Sequence, residues 1–118
     1  MESRSEPANG VELRILSAGP IRLDIVSQQA SLAGEQLELT PTEFRLLRAL
    51  VERRGRTQSR KQLLEKAWST GSEAADRTRT RTVDMHVRRL RVKLGDVGGW
   101  IQTIRGFGYR IKVPEGVE

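Results

Sequence analysis

Between residues 39 and 44 the hydrophobic period of this chain changes, and that change restricts the architectures open to it. Up to Leu39 the apolar residues fall in short runs: Leu13–Leu16, Ile21–Val26 (IRLDIV, alternating), Ala30–Ala33 and Gln36–Leu39, separated by Gly-Pro, Gln-Gln and Gly34-Glu35. Alternation broken by turn residues predicts an antiparallel meander of three or four strands with one wet face. "TPTEF" at 40–44 then opens a helix on three agreeing signals. Thr40 is placed to N-cap, Pro41 falls at the first helical position, and Glu43 completes a capping box. Phe44, Leu47, Leu50 and Val51 supply its apolar face, and Gly55 ends it. The chain is therefore expected to be α+β, with the sheet first.

Two more helices are predicted. In "SRKQLLEKAW", Ser59 caps, Gln62 completes the box, and Leu63, Leu64, Ala67 and Trp68 face inward. A polar stretch from Ser69 to about residue 80 leads to "RTVDMHVRRLRVKLG" at 81–95. At 100° per residue Val83, Val87, Leu90 and Leu94 lie within about 60° of one another. Arg81, Met85, Arg88 and Val92 lie opposite, with Thr82 and Arg89 on one flank. Burial of the four apolar side chains is worth roughly 6–12 kcal/mol as an upper estimate, whereas each like-charge pair on the outer face costs only about 0.2–0.5 kcal/mol. The fold tolerates these arginines without needing them. They are either a solvated face or a surface that meets an anion.

The distribution of charge bears on that choice. Residues 1–76 hold 11 Lys/Arg against 11 Asp/Glu, while residues 77–118 hold 10 against 4 and so carry the whole net charge of +6. Segregation of this kind favours a polyanionic partner, nucleic acid first. Cysteine is absent, which excludes a disulfide framework and a thiolate metal site and fits a reducing, cytoplasmic setting. No apolar run approaches 18 residues, so neither a membrane span nor a secretory signal is expected. Residues 1–11 read as a disordered linker or leader, 12–114 as one domain, and 115–118 as a tail.

The chain closes on "WIQTIRGFGYRIKV", 100–113, where two β-branched runs flank Gly106–Phe107–Gly108 and predict a β-hairpin. Strict alternation sends Ile104 and Ile111 to the core and puts Thr103 and Arg105 on the opposite face.

In this order, "LTPTEFRLLRAL", "SRKQLLEKAW", "RTVDMHVRRLRVKLG" and "IQTIRGFGYRI" resemble the OmpR/PhoB-type winged-helix domain, the DNA-binding effector half of two-component response regulators. The resemblance covers most of residues 37–113, and the strand run from 12 to 39 matches the family's N-terminal sheet. It implies a winged helix-turn-helix: a four-stranded antiparallel sheet, three helices and a C-terminal hairpin wing. It further implies sequence-specific binding of double-stranded DNA in transcription regulation. A recognition helix at about 80–94 would enter the major groove, and a wing at 101–112 would touch the adjacent minor groove or backbone. Carried over by position, the DNA-facing residues are Arg81, Thr82, Met85, His86, Arg88 and Arg89 on the helix. On the wing they are Thr103, Arg105, Gly106, Phe107 and Tyr109. Trp68, Ser69 and Asp76 fall in the loop that contacts RNA polymerase in the family. The implied partners are DNA, a receiver domain in the parent chain, RNA polymerase and a second copy in a tandem dimer on DNA. Two departures stand out: the loop from Trp68 to Arg81 is several residues longer than the family pattern, and none of Asp24, Asp76, Asp84 and Asp96 sits in the acid cluster of a phosphate-accepting receiver, so these residues are expected to be the effector half alone.

Bland alternatives apply to several residues. His86 has no nucleophile, acid pair or metal-ligand partner at usable spacing, so it touches a phosphate or nothing. No catalytic constellation, cofactor motif or metal set is present, and the chain is not expected to be an enzyme. Asp84 is expected to orient an arginine through a salt bridge, and Arg91 either meets DNA or pairs with a protein carboxylate. Trp68 and Trp100 are expected in the core, whereas Phe107, between two glycines, is expected to be exposed. The apolar stripe of the basic helix lacks Trp and Phe, which suits a protein core better than a lipid surface. Phe107 and Tyr109, the exposed aromatic candidates, make no stacking platform for RNA. The competing function is a winged-helix protein–protein module that docks on polymerase or a regulatory partner with little DNA contact.

Overall fold

The period switch is realised as two structural layers. In a computed structural model that describes residues 14–68 and 80–116, strands β1 (Ile15–Ala18), β2 (Ile21–Asp24), β3 (Gln29–Leu32) and β4 (Glu35–Leu37) form an antiparallel meander in sequence order. Ile21, Leu23 and Ala30 are buried while Arg22 and Gln29 are exposed, giving the expected single wet face. Helix α1 (Pro41–Glu52) begins at Thr40 with the predicted capping box complete. The Thr40 hydroxyl accepts from the Glu43 N–H at 3.1 Å, and the Glu43 carboxylate accepts from the Thr40 N–H at 2.9 Å. The helix stops at Arg53, and Gly55 takes φ +87° in the turn that follows.

Helix α2 (Arg60–Trp68) has the same entry chemistry, Ser59 and Gln62 bonding reciprocally at 3.0 and 2.8 Å. One element escapes the sequence pattern. Gln58–Ser59 forms a two-residue strand, β5, whose shortness leaves no periodicity to read. Helix α3 (Arg81–Leu94) follows, and its stripe of Val83, Val87, Leu90 and Leu94 is fully buried. Gly95, at φ +59°, ends α3 and begins a short 3₁₀ helix (Gly95–Trp100), also unforeseen. A β-carbon on Gly98 would lie 2.3 Å from the Arg91 carbonyl oxygen, so this turn packs onto α3 only with glycine there.

The hairpin of β6 (Ile101–Ile104) and β7 (Gly108–Ile111) joins β5 in a second antiparallel sheet of order β5–β7–β6. Its frame corrects one expectation. Ile101 pairs with Ile111 and Thr103 with Tyr109, so those four share a face. Ile101 and Ile111 are buried, whereas Ile104 is half-buried on the other face beside Gln102. The turn is Arg105–Gly106–Phe107, with Gly106 at φ +75°, and Gly108 belongs to the strand. Counting Gly108 as turn shifts the alternation by one residue, which is enough to swap the faces. Gly108 has its own reason to be glycine: a β-carbon would sit 1.9 Å from the Gln58 carbonyl oxygen of β5.

The three helices and the inner faces of both sheets enclose one core, which includes Leu46, Leu47, Leu50, Leu63 and Leu64. Trp68 and Trp100 are half-buried and pack against it. This is the winged-helix architecture, with the hairpin following α3 through the 3₁₀ turn. Residues 1–11 and 117–118, assigned above to leader and tail, lie wholly outside the described residues, as do Leu13, Ser69, Asp76 and the rest of 69–79.

Candidate nucleic-acid interface

Because α3 spends its apolar stripe on the core, its opposite face is left exposed among the described residues. Arg81, Arg88 and Arg89 are exposed, and Met85 and Val92 are 50% and 75% exposed. Arg81, Asp84, Met85 and Arg88 line a shallow open depression on that face. Among the described residues Arg81 and Arg88 make no ion pair or hydrogen bond, and Arg89 reaches only the Met85 sulfur, at 3.6 Å. On the wing, Arg105 and Gly106 are exposed at the turn, and Phe107 is 53% exposed as expected. Arg105 too has no partner among the described residues. Four guanidinium groups thus stand on α3 and the wing turn with no carboxylate partner among the described residues.

The other two cations of α3, Arg91 and Lys93, are spent on the fold. Arg91 neither meets a carboxylate nor projects freely. Its guanidinium donates to the Ile101 carbonyl at 2.6 and 3.1 Å and to the Thr103 hydroxyl at 2.9 Å, which fixes the base of the wing against α3. Lys93 donates to the Glu43 carboxylate at 2.6 Å and to the Glu38 carbonyl at 2.9 Å. That ties the last turn of α3 to the start of α1. Glu43 is buried, and burial pushes its carboxyl upward. The hydrogen bonds from Lys93 and the Thr40 N–H, with the Lys93 charge and the nearby His86, outweigh this and hold it below the ordinary 4.5.

Asp84 orients an arginine, as expected, but that arginine is on another helix. The Asp84 Oδ1 accepts from the Arg60 Nε of α2 at 2.7 Å and from the Tyr109 hydroxyl of β7 at 2.6 Å. The Arg60 and Arg91 guanidinium carbons lie 5.5 and 5.7 Å from the centre of the Tyr109 ring, within cation–π range. The hydrogen bond to Asp84 raises the Arg60 pKa further above its ordinary value. Burial first, then the Asp84 hydrogen bond and charge, push the Tyr109 phenol up, against the opposing charge of Arg60.

Two site residues therefore differ from their sequence assignment. Tyr109 is not an exposed wing-tip aromatic; it is 4% exposed, because it lies in β7 on the core face with Ile111 and its hydroxyl is held by Asp84. His86 is half-buried and turned against α2. Its Nδ1 lies 2.8 Å from the Thr82 carbonyl oxygen, and its ring meets Trp68 edge to face at 5.0 Å. Thr82 is half-buried beside it, and Thr103 is exposed but already accepts from Arg91. Arg60 and Lys93 are the functional neighbours that sequence reading missed, and Arg91, expected on DNA or a carboxylate, holds a carbonyl and a hydroxyl instead. Asp84 carried the one available signal, an acid inside a basic helix.

Known proteins resemble this arrangement. A family model described as "Transcriptional regulatory protein, C terminal" matches residues 34–111. The transcriptional regulatory protein CseB of Streptomyces avermitilis is 40% identical over 111 residues, covering 94% of this chain and 43% of that protein. The chain thus spans less than half the length of the curated relative it matches. The crystal structure of the DNA-binding domain of CpxR from E. coli superposes with a TM-score of 0.71 at 34% identity, covering 85% of this chain and 97% of that one. The RstA DNA-binding domain of Klebsiella pneumoniae, solved in complex with the RstA box, gives 0.69 at 30% identity, covering 84% and 97%.

Proposed function

The chain belongs to the family of transcriptional regulatory protein C-terminal domains, and on that premise we propose that it binds duplex DNA sequence-specifically to regulate transcription. The observation that carries this reading is the set of Arg81, Arg88, Arg89 and Arg105, four exposed guanidinium groups on α3 and the wing turn with no carboxylate partner among the described residues. Arginine forks onto guanine O6 and N7 or onto phosphate, and a thioether such as Met85 packs a thymine methyl. The helix has the width a major groove admits, and the Arg105 turn reaches the neighbouring minor groove or backbone. The action is binding, with no chemical step at this surface.

In the parent chain we place this unit as the effector half of a two-component regulator, downstream of a receiver domain and in the cytoplasm. The length of the relatives leaves room for such a domain. No described helix is long and apolar enough to cross a membrane. Assembly as a tandem dimer on DNA and contact of the segment after Trp68 with RNA polymerase complete the proposal.

Selection of bound duplexes from a random pool tests it. Enrichment of one motif, repeated at a fixed spacing of about one helical turn, is the expected result. A pool that stays random, with binding indifferent to salt, would favour docking on a protein partner instead.

A further inference from the structure

The wing is joined to α3 by two side-chain struts of different position. The inner one is Arg91, whose guanidinium grips the Ile101 carbonyl where the hairpin leaves the core and also reaches Thr103, the cross-strand neighbour of Tyr109. The outer one is Asp84, seven residues earlier on α3, whose Oδ1 takes the Tyr109 hydroxyl at 2.6 Å. Tyr109 is two residues beyond Phe107 and the exposed turn that presents Arg105. The same oxygen takes Arg60 Nε at 2.7 Å, so α2, α3 and β7 meet at one carboxylate atom. Backbone pairing completes the joint: β5, at the entrance to α2, pairs Gln58 with Tyr109 and Ser59 with Gly108.

A solvated face would not need this geometry. Asp84 sits one turn from Arg88 and between Arg81 and Met85, amid the side chains that point outward. Yet it directs its carboxylate sideways to the wing and to α2, and its charge is spent on the positions of those two elements.

We propose that Asp84, through Tyr109 and Arg60, is a positioning residue that fixes the distance between the outer face of α3 and the Arg105 turn, and so sets the base-pair spacing the domain accepts between its two contact sites. The inference rests on the DNA-binding reading above. One added base pair displaces the second contact by about 3.4 Å and turns it by roughly 35° about the duplex axis. A rigid joint cannot follow that step, whereas a loosened one can.

Duplexes carrying the selected motif and an A/T run, separated by the native spacer or by one base pair more or fewer, provide the test on the full chain. Wild type is expected to lose about tenfold in affinity at either altered spacer, the scale of one lost groove contact. Tyr109→Phe keeps the buried ring and removes only the hydroxyl; Asp84→Asn keeps the size and removes the charge. Both are expected to bind the native spacer a few-fold more weakly, but to differ less than threefold across the three spacers. Arg105→Ala should abolish spacer preference in every background. Variants that weaken equally at all spacers and keep the wild-type preference would overturn the proposal, since a merely structural or phosphate-holding role does that. A wild type indifferent to spacer would also overturn it while leaving DNA binding in place. Absence of DNA binding in wild type would instead mark failure of the functional reading itself.

Discussion

The cations of α1 and α2 and those on the outer face of α3 are similar in kind and opposite in circumstance. In the first region Arg48 pairs with Glu52 at 2.9 Å, Arg45 donates to the Ala67 carbonyl at 2.5 Å, and Lys66 donates to the buried Gln58 amide oxygen at 3.0 Å. Arg60 is held by Asp84, and Lys61 is the exposed exception. In the second region Arg81 and Arg88 have no partner among the described residues, although Arg91 and Lys93 on the same helix do. The contrast teaches where to look for function in a basic chain. Net charge marks the half of the molecule; the arginines that the fold leaves unused mark the surface.

Five substitutions sharpen or break that contrast. The largest effect is expected from Leu90→Ala, on the inner face of α3, which should lower unfolding free energy by about 2–5 kcal/mol by opening a cavity. Chemical denaturation measures it, and a change below about 1 kcal/mol would contradict the burial of that face. On the outer face, Arg81→Ala and Arg89→Ala should leave the melting temperature within a degree or two, since surface changes stay within about 0.5 kcal/mol. Each should nevertheless cost about 1–3 kcal/mol of affinity for the selected duplex. Arginine variants that melt early yet bind normally would reverse the assignment of faces.

Glu43 distinguishes a spent cation from an unspent one by its pH response. Its folded pKa is held below 4.5, so the folded chain takes up its proton less readily than the unfolded one. The stability it contributes is complete above that ordinary value and is lost as pH falls through the lower, folded one. Glu43→Gln should therefore cost about 1–2 kcal/mol at neutral pH. The variant should also lose less stability than wild type between roughly pH 5.5 and 3. Parallel acid profiles for the two proteins would mean that the Lys93 link contributes nothing. The smallest effect belongs to Arg48→Ala, which removes one exposed i,i+4 pair and should change stability by at most about 0.5 kcal/mol with no change in DNA affinity.

Much of this architecture was legible in the residues because it rests on local rules. The capping box of Thr40 and Glu43, the reciprocal pair of Ser59 and Gln62, and the buried stripe of α3 are properties of neighbours within a turn or two. What stayed hidden was set by partners distant in sequence. The two-residue β5 exists because Gln58 and Ser59 find β7 some fifty residues later. The frame of the wing turned on whether Gly108 served the turn or the strand, and close approach of the Gln58 carbonyl decides for the strand. His86 and Tyr109 looked like surface readers because nothing near them in sequence announces Trp68 or Asp84 as partners. The exposed cations were easier to name than the half-buried joint of Asp84, Arg60 and Tyr109.

On the DNA-binding reading, the guanidinium groups of α3 and the wing displace counterions from DNA, whereas the cations of the N-terminal sheet and α1 do not. The salt dependence of duplex affinity in two variants that each lose the same charge separates the two surfaces. Arg81→Ala/Arg88→Ala removes two groups from the outer face of α3; Arg22→Ala/Arg48→Ala removes two from the N-terminal sheet and α1. The plot of log affinity against log salt should be steep and negative for wild type and should flatten by about one to two units in the α3 variant. The matched variant should keep the wild-type slope. Equal flattening in both would show that net charge alone drives binding, and the account of a specific α3 surface would be contradicted.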